Sequence, residues 1–183
     1  MNILFSPREF FKNIGSTYRL GLLFAVIQWG TASSFLALPL WLLQISPFAV
    51  PIIPIQPDVY YFWQTIFLLP YGILLTLLIS GISLILLKTG GRLGTRFKAV
   101  FGIVSYSLFL PWIACFIWDL FLIFTNHWTF LWAMPLYILS LGAETILYAY
   151  GFHIVFGASR RRSIAIALLN SAIVIGLSVL IVR

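Results

Sequence analysis

The sequence has little charge. Only 8% of its 183 residues are Asp, Glu, Lys or Arg, where soluble domains carry about 25%. Just four are acidic, against eleven basic. So sparse a supply cannot coat a water-soluble globule, because a domain of this length leaves about 30% of its unfolded-chain surface wet. Soluble enzyme, nucleic-acid-binding domain and disordered linker are therefore excluded, the net charge of +7 notwithstanding. Cysteine is nearly absent as well. Cys115 stands by itself inside an apolar run, which excludes an internal disulfide and a thiolate metal cluster. Catalytic signatures are missing too: no His-Glu-x-x-His helix, no Gly-x-Ser-x-Gly elbow with a partner His and no Gly-x-x-x-x-Gly-Lys loop. No catalytic residue, metal ligand or cofactor is assigned, and the expectation is a protein that is not an enzyme.

What is present is hydrocarbon, with 62% of residues in the AVILMFWYC set. The few charges cut this material into intervals, and a helix needs about 20 predominantly apolar residues to cross the membrane core. The interval after Arg19 is too long for one crossing and ends in Pro47, Pro51, Pro54 and Pro57, which cannot share a helix. Five spans result, at about 20–43, 62–87, 99–123, 130–156 and 163–182 of a single domain covering 1–183. The fourth joins two intervals across Glu144, and Pro135 is the alternative place for that helix to open. Thr31-Ala32-Ser33-Ser34 has the small residues of a signal-peptide cleavage site, but the apolar run continues through Leu43, as in a retained anchor.

Lys and Arg distribution gives the orientation. Arg8, Lys12 and Arg19 precede the first span, Lys88, Arg92, Arg96 and Lys98 fall between the second and third, and Arg160, Arg161 and Arg162 fall between the fourth and fifth. With these spans all ten share one side, and only Arg183 falls on the other. The positive-inside rule then predicts a multi-pass protein of the cytoplasmic membrane, N-terminus cytoplasmic and C-terminus outside. Trp112, Trp118, Trp128, Trp132, Tyr60, Tyr61 and Trp63 gather toward the outer side as an aromatic belt.

Residues 6–19 read as an amphipathic interfacial helix. Ser6 and Glu9 have capping-box spacing, Pro7 takes the first helical position, and Phe5 and Phe10 can staple the start. Phe10, Phe11, Ile14 and Tyr18 share one face, while Arg8 and Lys12 project from another. Arg8, Phe10, Phe11 and Lys12 are thus the candidate lipid-facing or docking surface, the plainer alternative being a topological anchor.

Two acids fall within the apolar stretches. Asp119 is about a turn from the outer end of the third span and is expected at the interface, within reach of water. Glu144 lies near the middle of the fourth, sharing a helix face with Tyr137, Ser140, Tyr148 and Gly151. Glu144, Tyr148, Tyr137 and Ser140 form the candidate intramembrane polar site, either as hydrogen-bonded packing glue or as a proton or cation site. Gln28, His153 and Asn170 are a second possible cluster. Gly72, Thr76, Ser80 and Ser83 make a small-residue face on the second span that predicts close helix packing. Gly90, Gly91 and Gly94 between Lys88 and Lys98 read as a hairpin turn rather than a phosphate cradle.

Several segments resemble the Yip-domain membrane proteins, named for interaction with Ypt/Rab GTPases. They are Ser6-Pro7-Arg8-Glu9-Phe10-Phe11, the Gly90-Gly91 hairpin with Phe97-Lys98-Ala99-Val100 and Tyr106, Pro111, Tyr148-Ala149-Tyr150-Gly151-Phe152, and Gly157 through Ala165. The resemblance implies five helices, a cytoplasmic N-terminus and a membrane-organising or partner-binding role. Eukaryotic members carry a long soluble segment before the first span; the short one here looks like the prokaryotic members and argues against GTPase binding. Membrane lipids and a protein partner of unknown identity are the expected partners, with no nucleic acid. The alternative is a small transporter or channel component using Glu144.

Overall fold

The computed structural model describes residues 7–14, 18–47, 55–89, 91 and 95–181, with the side chains of 7, 8, 12, 14 and 179–181 outside the description. The architecture is all-α. A short helix, α1 (Pro7–Ile14), precedes α2 (Tyr18–Leu42), α3 (Pro57–Thr89), α4 (Phe97–Phe124), α5 (Phe130–Phe156) and α6 (Arg160–Ile181). The latter five are long and apolar enough to cross a membrane. In lipid every backbone polar group must be satisfied within the segment, which is why such apolar runs close into helices.

Interior prolines shape the helices locally. Pro39 has no N–H for the carbonyl four residues back, and its ring crowds that carbonyl. The helix widens into a π turn over Ala32–Ala37 just before it. The Thr31-Ala32-Ser33-Ser34 run thus lies within a continuous helix, Ala32 and Ser33 buried, the Ser33 hydroxyl donating to the Thr65 carbonyl of α3. Pro70, Pro111 and Pro135 lie inside α3, α4 and α5. Helix α5 opens at Phe130 behind an extended Thr129, so Pro135 does not begin it. It ends at Gly157, whose φ of 62° reverses the chain without the penalty a Cβ would bring.

Helix α4 is central. Val100 through Leu108 are buried in unbroken succession, enclosed by α1, α2, α3 and α5, as expected of a helix apolar on all sides. Helix α6 closes the bundle against α5 and α3. The small-residue face of α3 packs closely: Gly72 lies against the Trp29 indole, Trp29 Nε1 donates to Thr76 Oγ1 at 3.3 Å, and Ser83 meets Asn170.

The basic segments gather at one end. Tyr18 and Phe97 place their rings 6.3 Å apart, and Arg162 Nη2 donates to the Leu86 carbonyl and, at 3.1 Å, to Thr89 Oγ1. The opposite end is aromatic, with Tyr60, Tyr61, Leu40 and Ile123 in one cluster beside Trp41 and Trp128.

The α1 face proves different from the expected lipid-facing surface. Phe11 is 1% exposed, its ring 5.8 Å from Tyr106 and 5.8 Å from Tyr150, while Phe10 stands 4.7 Å from Tyr106. The apolar face of α1 is taken by the bundle itself, because α4 and α5 offer it a ring-lined slot floored by Gly151. The Arg8 and Lys12 side chains lie outside the described residues, as do Phe5, Ser6, Pro51, Pro54, Gly90, Arg92, Gly94, Val182 and Arg183. Gly91 is described, with φ of 80° in the hairpin turn.

Candidate functional site

Among the described residues the two buried carboxyl groups, Asp119 and Glu144, are carried by α4 and α5. The two helices run antiparallel, with Ile103 against Gly151 and Pro111 against Ser140. Side chains on the inward face of α5 recur at offsets of three and four, the spacing of one helix face. Tyr137, Ser140, Glu144 and Tyr148 are that stripe.

It divides into two sites instead of one. Tyr137 donates to Asp119 Oδ2 of α4 at 2.8 Å. Ser140 Oγ lies 2.9 Å from Cys115 Sγ and 3.3 Å from the Pro111 carbonyl. Neither belongs to Glu144. That carboxyl has Tyr148, one turn further along, as its polar neighbour, the hydroxyl facing it without closing a well-formed hydrogen bond. The sequence-level grouping of all four fails because Tyr137 lies two turns from Glu144, and the α4 side chains opposite it differ.

Asp119 also departs from expectation. It is 2% exposed, held between α4 and α5 out of reach of water. Its Oδ1 has no hydrogen-bond partner, and neither has Glu144 Oε1, although Glu144 is only 7% exposed. A buried polar atom left unpaired costs about 1–3 kcal/mol. Cys115, one turn away on α4, completes the Asp119 surroundings. Sequence spacing held one clue to this site, since Cys115 and Asp119 are four apart; the part played by Tyr137 depends on how α5 docks.

A polar layer crosses the bundle near the Glu144 level. Ser107, between Ile103 and Pro111 on α4, has a buried hydroxyl with no partner. Thr145 Oγ1 lies 2.7 Å from Ser171 Oγ on α6, and Asn170 exchanges hydrogen bonds of 3.0 and 2.8 Å with Ser83 on α3. The expected Gln28, His153 and Asn170 cluster does not form. His153 Nδ1 lies 2.7 Å from the Ala158 carbonyl past the end of α5, Asn170 is committed to Ser83, and Gln28 Oε1 is buried without a partner. Among the described residues no three His, Cys, Asp or Glu side chains group as metal ligands.

No protein-family model, curated protein or solved structure matches the chain. It is a multi-pass membrane protein on the strength of its five apolar helices.

Proposed function

We propose that the protein is a non-enzymatic membrane component that organises the bilayer or binds a protein partner, of the kind its resemblance to the Yip-domain family implies. The carrying observation is the closure of its interior: Asp119, Glu144, Tyr148 and Phe152 are all buried in helix contacts. The polar pairs that do form between helices, Tyr137 with Asp119, Ser83 with Asn170 and Thr145 with Ser171, act as interhelical glue, worth about 0.6–2 kcal/mol per contact in membranes. The cations gathered at one end support a cytoplasmic location for that end, the one that carries the loop between α3 and α4, by the positive-inside rule. Cysteine substitution along Tyr137–Gly151 in a Cys115→Ser background tests closure. Inward positions should stay unreactive to water-soluble thiol reagents in membranes, whereas labelling at 140, 144 and 148 together would overturn it. Crosslinking in native membranes would then identify the partner.

The second reading is a proton or cation transporter. It is favoured by the orphaned Asp119 Oδ1 and Glu144 Oε1, since an intramembrane carboxylate lacking a partner is a natural ion site. Proton flux in proteoliposomes that is abolished by Glu144→Gln would establish this reading over the first.

A further inference from the structure

At the aromatic end a cavity of about 300 Å³ opens between the close of α2 and the start of α3, lined by Leu40, Trp41, Gln44, Ile45, Ser46, Pro57, Asp58 and Tyr61. Its chemistry is one-sided. Asp58 supplies an exposed carboxylate, Ser46 a hydroxyl, and Trp41 and Tyr61 aromatic surface, and among the described residues no lining side chain carries positive charge. Aromatic faces attract cations by their quadrupole, and a carboxylate completes the counter-charge.

The backbone at Gln44 is a separate sign. Ile45 N bonds the Leu40 carbonyl at 3.0 Å and Gln44 N the Trp41 carbonyl at 3.1 Å, closing α2 in the manner of a Schellman turn. The residue at the left-handed position of such a turn is usually glycine, yet Gln44 stands there with φ of 55°. Strain retained at a pocket wall points to a use for the side chain. The Gln44 amide nitrogen donates to the Trp41 carbonyl at 3.0 Å, which leaves its oxygen as an acceptor.

We propose that this pocket binds an ammonium group, with Asp58 as counter-ion, Gln44 Oε1 and Ser46 as further acceptors, and Trp41 and Tyr61 as the aromatic wall. An ammonium has three donors for these acceptors. The group arrives either on a soluble amine or on an ethanolamine lipid headgroup, since the pocket lies where helix ends meet the interface. The site is independent of the role proposed for the whole protein.

The test uses the full chain. Ethanolamine is titrated into detergent-solubilised protein by calorimetry, and retention of phosphatidylethanolamine over phosphatidylglycerol is read by native mass spectrometry. Saturable ethanolamine binding supports a soluble amine as ligand, and selective lipid retention without it supports the headgroup. In either case Asp58→Asn should weaken binding by about tenfold or more, the scale of a lost hydrogen bond to a charged group. Gln44→Gly is the second variant: it relieves the left-handed backbone and should raise the melting temperature while weakening binding, a pairing that a merely structural role would not produce. Absence of both ligands, or binding unchanged in both variants, overturns the proposal.

Discussion

The Trp29 indole lies flat against Gly72, and its Nε1 reaches one turn along α3 to Thr76 Oγ1 at 3.3 Å. A Cβ at Gly72 would stand 1.9 Å from the indole, so the absence of a side chain is what lets α2 and α3 approach. Lipid is as apolar as the helix faces, leaving close packing and hydrogen bonds to hold spans together.

Gly72→Ala should therefore force the two helices apart, destabilising the protein by about 1–3 kcal/mol as overpacked cores do. Thermal unfolding in detergent measures it. Trp29→Leu in the same chain should recover part of the loss by clearing the space; an unperturbed Gly72→Ala would show the contact to be looser than described.

Phe11 should prove to be what fastens α1. Phe11→Ala removes a ring 1% exposed, at a cost of about 3–5 kcal/mol if the slot fails to collapse. Limited proteolysis should then cut earlier near Asn13. Gly151→Val should have the same effect from the other side, because a Cβ there meets Ile103 at 2.6 Å and the Phe11 ring at 3.1 Å. Protease resistance equal to that of the parent chain in both variants would argue against docking.

Asp119 and Tyr137 should be energetically coupled. Tyr137→Phe strips Asp119 Oδ2 of its described donor and costs about 1–3 kcal/mol. In Asp119→Leu the same tyrosine change should matter less, leaving a coupling of about 0.5–3 kcal/mol in a double-mutant cycle. Strict additivity would mean the hydrogen bond contributes nothing.

Arg162 should join α6 to α3 through the Leu86 carbonyl and Thr89 Oγ1. Arg162→Ala is expected to cost about 1.5–3 kcal/mol, the worth of hydrogen bonds to a charged donor, while Arg161→Ala, at an exposed neighbour, should change the melting temperature little. Equal effects from the two would make Arg162 one more surface cation.

Glu144 and Asp119 show how far sequence reading reaches. The membrane-spanning, all-α class was legible because it depends on the amount and spacing of apolar residues, which lipid tests one segment at a time. Intrahelical spacing likewise placed Tyr148 beside Glu144. Nothing along the chain revealed that Tyr137 turns to Asp119, or that Ser140 turns to Cys115, since those contacts depend on which face of α4 opposes α5. The error at Asp119 has the same origin: distance from a helix end was taken for distance from water, yet α5 extends past that level and covers it.

The sites of the interior prolines and the small-residue face of α3 were determined by sequence alone, because each is a property of order along one helix, and the segments that carry the cations were legible from the spacing of the apolar runs. Only the tertiary structure decided that α1 spends its aromatic face on the bundle, that the polar stripe of α5 serves two acids separately, and that Asp58, Gln44 and Trp41 line one cavity. Packing between helices sets those distances, and in a membrane it is governed by the shapes of facing surfaces, which hydrophobicity does not encode.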